Sequence, residues 1–207
     1  MKRLTQDVLD SLLLQQDIEF RAGFASTNAL LHSIIVDSPE SELLRVGKQE
    51  LRSGDVRRRI LGIRLVRELK RYQDEATAEL ADMLGRETDP DVIYWLVSAF
   101  GFLKSDPVTG RLRVLADHPD PGVRYHVATA LANSASGKIS AASVDALLAL
   151  SRDENAEVRF SAIFELGSWW KTSRDPRIES ALKHAILDDN DPLVRRVAAD
   201  ALEQGSA

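Results

Sequence analysis

The string Asp-Pro-x-Val-Arg, or a close variant of it, returns along this chain at a nearly constant interval. The copies are Gly54-Asp55-Val56-Arg57, Asp89-Pro90-Asp91-Val92-Ile93, Asp120-Pro121-Gly122-Val123-Arg124, Asn155-Ala156-Glu157-Val158-Arg159 and Asp191-Pro192-Leu193-Val194-Arg195. Aligned on Val56, Val92, Val123, Val158 and Val194, they step by 36, 31, 35 and 36 residues. A period in this range marks a solenoid, in which each unit buries its apolar face only against its neighbours. The repeat therefore speaks to architecture more than to any ligand.

Each unit reads as a helical hairpin. Asp120 is placed to cap a helix by accepting a backbone N–H, and Pro121 suits the first turn, where its missing donor would be unpaired anyway. Val123, Val127, Ala130 and Leu131 then recur at helical spacing. The same pattern returns in Val158, Ala162 and Leu166, and in Val194, Ala198, Ala201 and Leu202. Between these second helices the spacing predicts first helices over Ser41–Leu51, Ala76–Leu84, Val108–Leu115, Val144–Leu150 and Arg177–Leu187. No strand-like alternation competes.

The pattern resembles the HEAT repeat family, in particular the short bacterial HEAT-like repeats of phycobilin-lyase type. The Asp-Pro-x-Val-Arg turns and the Ala-rich second helices carry the resemblance, over about residues 41–204. It implies an all-α fold, a right-handed α-solenoid of about five hairpins, with units near 41–72, 73–104, 105–136, 137–172 and 173–207. Residues 1–40 do not match the repeat. Their amphipathic stretches, Val8-Leu9 with Leu12-Leu13 and Leu30-Leu31 with Ile34-Ile35, are expected to form an N-terminal helical cap. Two departures stand out in this alignment: Ile93 replaces the motif arginine, and Arg64 stands where other units have Leu131, Leu166 and Leu202.

Composition narrows the function classes. The 207 residues contain no cysteine, which excludes disulfides, thiolate metal sites and a cysteine nucleophile. No apolar run approaches membrane-spanning length, and Met1-Lys2-Arg3-Leu4 leads into Gln6, Asp7 and Asp10 rather than a signal peptide. A soluble cytoplasmic protein is expected. The net charge of −5 argues against nucleic acid as the main partner. The histidines are scattered without metal-ligand spacing, and no phosphate loop or nucleophile elbow is present, so no catalytic, cofactor or metal residue is assigned.

Two clusters remain. The resemblance implies that second helices line a concave surface and that the motif arginines, Arg57, Arg124, Arg159 and Arg195, form a ladder to aspartates of adjacent turns. Two residues after the aligned valine stand Arg58, Tyr94, Tyr125, Phe160 and Arg196; three after it stand Arg59, Trp95, His126, Ser161 and Val197. The candidate partner-binding residues are thus Arg58, Arg59, Tyr94, Trp95, Tyr125, His126, Phe160 and Arg196, an aromatic centre with arginines at both ends. The second cluster is basic: Arg57, Arg64 and Arg71 lie seven apart, a spacing that predicts one stripe suited to an acidic protein or phosphate groups.

These residues favour a protein or peptide partner held in the groove, as in a scaffold, inhibitor or immunity protein. The resemblance also implies two alternatives. One is a HEAT-like alkylpurine DNA glycosylase, which the acidic balance of residues 73–207 opposes. The other is a bilin lyase or chaperone-type subunit.

Overall fold

The computed structural model describes residues 4–22, 29–103, 105–133 and 139–205, with the backbone alone for 15–22 and 29–30. It has twelve α-helices and no strand among these residues. The chain forms two compact units, Met1–Ala99 and Phe100–Ala207.

The first unit contains α1 (Gln6–Ala22), α2 (Ala29–Asp37), α3 (Glu40–Leu51), α4 (Val56–Val66), α5 (Gln73–Arg86) and α6 (Pro90–Phe100, whose last residue falls in the second unit). Helices α3 and α4 pack tightly because glycines meet at their crossing. A methyl group on Gly62 would stand 2.7 Å from the Leu51 nitrogen and 2.9 Å from the Gly47 carbonyl oxygen. Around this contact Leu43, Ile60, Leu61, Ile63, Leu65 and Val66 are buried. Helix α1 lies against α4 and buries Leu9, Leu12 and Leu13, while α2 buries Leu31 and Ile34.

The second unit opens with a 3₁₀ turn, Asp106–Val108. It continues through α7 (Thr109–Leu115), α8 (Pro121–Ala132), α9 (Ala141–Leu150), α10 (Ala156–Ser173), α11 (Pro176–Asp188) and α12 (Pro192–Gly205). Helix α10 packs between α8 and α12, with α9 and α11 alongside. Val123, Val127, Val158, Ala162, Leu166, Val194 and Ala198 form its core, at the positions the spacing marked. Small residues set the helix separation: a methyl group on Gly167 would come within 2.6 Å of the Ala201 methyl.

The helix starts follow from the capping residues. Asp120 accepts the Gly122 N–H at 2.7 Å, Asn155 the Glu157 N–H at 2.9 Å, and Asp191 the Leu193 N–H at 2.7 Å. In the first unit Asp55 and Asp89 do the same for Arg57 and Asp91. Each bond satisfies a donor that the first helical turn leaves unpaired.

Candidate partner-binding site

The repeated arginines bind one hairpin to the next. Arg124 donates through Nη1 to the carbonyls of His118 and Pro119, at 2.8 and 3.0 Å. Its Nε and Nη2 grip Asp153 at 2.7 and 2.8 Å. Arg159 does the same one repeat later, to the carbonyls of Asp153 and Glu154 and to Asp189 at 2.8 and 2.9 Å. The receiving carboxylate also closes its own turn: Asp153 accepts the Asn155 N–H and Asp189 the Asp191 N–H. Arg159 and this N–H hold Asp189 below the usual carboxylate range. Burial raises Asp153, but Arg124 and the Asn155 N–H outweigh it and leave it lowered too.

In the first unit this rung is made by Arg59 rather than Arg57. Arg59 donates to the carbonyls of Ser53 and Gly54 at 3.2 Å and pairs with Glu87 at 3.0 Å. It stands four residues after its helix cap, Asp55, as Arg124 stands after Asp120 and Arg159 after Asn155. The alignment on Val56 is therefore two residues out of register, and Arg58 occupies the motif-valine position. Val66, fully buried, then takes the place of Leu131, Leu166 and Leu202, and Arg64 is no departure at that position. Arg57 turns back to its own cap, Asp55, at 3.1 Å.

The basic stripe is also corrected. Helix α4 ends at Val66, so Arg71 lies beyond it, and Arg64 is only 6% exposed. Arg64 and Arg67 lie over the Trp95 ring, 5.2 and 5.9 Å from its centroid. Tyr94 meets Trp95 edge-on at 5.9 Å. Arg58 pairs with the buried Glu50 at 3.2 Å and with Asp10 of α1 at 3.5 Å. The four candidates of the first unit are thus engaged with their own unit.

In the second unit Tyr125 and Phe160, on successive second helices, border a cleft of about 350 Å³ together with Ala156, Glu157, Asp191 and Leu193. Phe160 stacks on Phe164 at 6.4 Å and 15°, and Phe164 is half exposed. His126 meets Tyr125 edge-on at 5.1 Å. Arg196 is exposed, 4.0 Å from Asp200. Ser161 bonds the Tyr125 carbonyl at 3.2 Å and so fixes α10 against α8 beneath the rings. Leu193, 60% exposed in the first turn of α12, was not singled out from the sequence. An apolar residue beside a capping aspartate, where Gly122 and Glu157 stand in the preceding repeats, was the available signal. Phe100 is buried in the core, whereas Phe102 lies past the end of α6 and is exposed.

Two other features bear on chemistry. A polar cleft of about 910 Å³ runs between α9 and α11, where Arg177 bridges to Asp145 at 2.7 Å and, within α11, His184 Nδ1 lies 2.9 Å from Asp188. Burial pushes the Glu165 carboxyl on α10 up to about 7. No group of histidines and carboxylates among the described residues is arranged to hold a metal ion.

Capped helical hairpins, stacked through small residues and tied by arginine–carboxylate rungs, define an α-solenoid of the armadillo-like class. The model for HEAT repeats matches residues 77–167 and 144–204, more than half of the chain, and the chain belongs to the HEAT repeat family. Among solved structures it is similar to the YibA protein of Escherichia coli, with 16% identity, a TM-score of 0.66, and 98% of this chain and 76% of that one covered. It is also similar to an archaeal HEAT-like repeats protein from Thermococcus onnurineus NA1, with 14% identity, a TM-score of 0.54, and 98% and 94% covered. A designed armadillo repeat protein, solved in complex with the peptide (KR)4, shares 15% identity and a TM-score of 0.61, with 96% and 98% covered. No curated protein matches the chain. No helix among the described residues is long and apolar enough to cross a membrane.

Proposed function

We propose that this chain is a non-catalytic protein-interaction module of the cytoplasm and that the Tyr125–Phe160–Leu193 cleft receives its partner. The observation that carries this reading is the gathering of the half-buried Tyr125 and Phe160 rings and the exposed Leu193 around one cleft, on helices held in place by the ladder beneath them. Rings on a rigid support lose little entropy on binding and supply most of the affinity at interfaces. Glu157 and Asp191 on the rim favour a protein segment that sets an apolar side chain beside a lysine or arginine. The designed armadillo protein holds a basic peptide on a comparable fold, which supports the mode of binding.

Of the eight residues singled out from the sequence, this reading uses Tyr125 and Phe160 directly and His126 as support for Tyr125. A photo-crosslinker placed at Leu193 in the source cell identifies the partner. The Tyr125→Ala/Phe160→Ala variant then lowers affinity for that partner by about tenfold or more, with the far-UV circular dichroism unchanged. Undiminished affinity in that variant would remove the cleft from the account.

A further inference from the structure

We infer that the side chain received by the Tyr125–Phe160–Leu193 cleft is an arginine of the partner, and that Glu157 selects it. The inference rests on the reading of that cleft as the partner's seat and names what sits there. The residues bordering the cleft include two aromatic rings and two carboxylates but no lysine or arginine. Glu157 stands exposed in the first turn of α10, and its carboxylate makes no hydrogen bond or ion pair among the described residues. Asp191 uses Oδ1 for the Leu193 and Val194 N–H groups, at 2.7 and 3.4 Å, and its Oδ2 makes no hydrogen bond among the described residues. Two anionic acceptors thus border a cleft that has no cation of its own.

The rings ask for the same charge. The face of an aromatic ring attracts a cation, and a guanidinium suits it because it is flat and weakly hydrated. The first unit already contains this pairing, with Arg64 and Arg67 lying 5.2 and 5.9 Å from the Trp95 centroid. In α8 and α10 the positions of Arg64 and Trp95, nine and six residues after the helix cap, hold Thr129 and Ser161, whose hydroxyls meet at 3.4 Å. No guanidinium among the described residues therefore covers Tyr125 or Phe160, whose ring contacts are with His126 and Phe164 on their own helices. Lysine matches the charge but not the shape. A guanidinium lies flat on a ring while its edge N–H groups reach Glu157 and Asp191, which a compact ammonium does less well. The apolar stem of an arginine also suits the exposed Leu193 beside it. At about 350 Å³ the cleft is at the small end of ligand pockets, which fits one long side chain.

The test uses the full chain with ¹³C-labelled aromatic rings and three blocked tripeptides, acetyl-Leu-X-Gly-amide, in which X is arginine, lysine or citrulline. Citrulline keeps the length and planarity of arginine without its charge. The Tyr125 and Phe160 ring resonances are expected to shift saturably with the arginine peptide, with a Kd about fivefold or more below that of either other peptide. Glu157→Gln should weaken the arginine peptide by about fivefold or more and leave the citrulline peptide unchanged, which separates loss of the charge from loss of the fold. Equal Kd values for the three peptides, with the rings still shifting, would overturn the arginine and leave the cleft as the seat. An unaltered Kd for the arginine peptide in Glu157→Gln would overturn the selection by Glu157. Rings unmoved by every peptide would overturn the arginine and the cleft together.

Discussion

Arg124 and Asp153 lock together at two points, 2.7 and 2.8 Å, with each side chain only 9% exposed. Removing Arg124 leaves the buried Asp153 carboxylate without its cation, holding only the Asn155 N–H. Arg124→Ala should therefore cost about 3 kcal/mol in urea unfolding. Arg124→Lys should recover less than half of that, since an ammonium keeps the charge but not the planar fork. The offset of the first repeat gives an internal control. Arg59→Ala should cost a comparable amount, and the exposed Arg57→Ala less than about 0.5 kcal/mol.

The ladder also sets the acid limit of stability. Asp153 and Asp189 have folded pKa values below their unfolded ones, so their contribution is complete above the unfolded value, about 3.9, and fades as pH falls through the folded value. Unfolding midpoints should be flat from these groups above about pH 5 and should drop below about pH 4. In the Asp153→Asn/Asp189→Asn variant the midpoint is lower at pH 7 and its acid dependence is shallower. A variant as steep as the natural chain would place the acid sensitivity elsewhere.

Glu165 works in the opposite sense. Burial raises its folded pKa to about 7, so ionisation opposes folding. The cost is absent below the unfolded value, about 4.3, grows as pH rises, and is complete above about 7. The equivalent position in α8 is Ala130 and in α12 Ala201, both buried, so a carboxylate here stands where its neighbours place a methyl group. Glu165→Gln should leave stability at pH 4 nearly unchanged and raise it at pH 8 by about 3 kcal/mol. Equal effects at the two pH values would mean that the folded carboxyl titrates as it does in the unfolded chain.

Periodicity made the hairpins and their core legible, because an apolar residue every three or four positions has one way to be buried. The Val123, Val158 and Val194 helices form as that spacing predicts. Register in the first repeat was not legible. Three consecutive arginines, Arg57 to Arg59, let the motif be placed on either Arg57 or Arg59, and only the direction of each guanidinium separates them. The same slip put Arg58 and Arg59 beside Tyr94 and Trp95 as equivalents. Whether a ring is exposed depends on what an adjacent helix sends toward it. Arg64 on α4 and Arg67 just after its end reach Trp95, which no spacing within α6 reveals. Leu193 escaped for a related reason: its exposure is set by the cleft between α10 and α12, a property of two helices rather than of one.

Arg58 provides a test of how the N-terminal helices are held. Glu50 on α3 is 2% exposed and Arg58 is its partner at 3.2 Å, while Asp10 on α1 is well exposed and 3.5 Å from the same guanidinium. The two contacts differ in value, because a buried carboxylate without its cation is costly and a solvated one is not. Asp10→Ala should therefore change stability by less than about 0.5 kcal/mol. Arg58→Ala should cost about 3 kcal/mol and accelerate amide exchange in α3 and α4 more than in α1. Replacing both members, as in Arg58→Leu/Glu50→Leu, removes the stranded charge and should restore most of the loss. If the double variant is as unstable as Arg58→Ala, then packing by the arginine stem, rather than its charge, is what this position supplies.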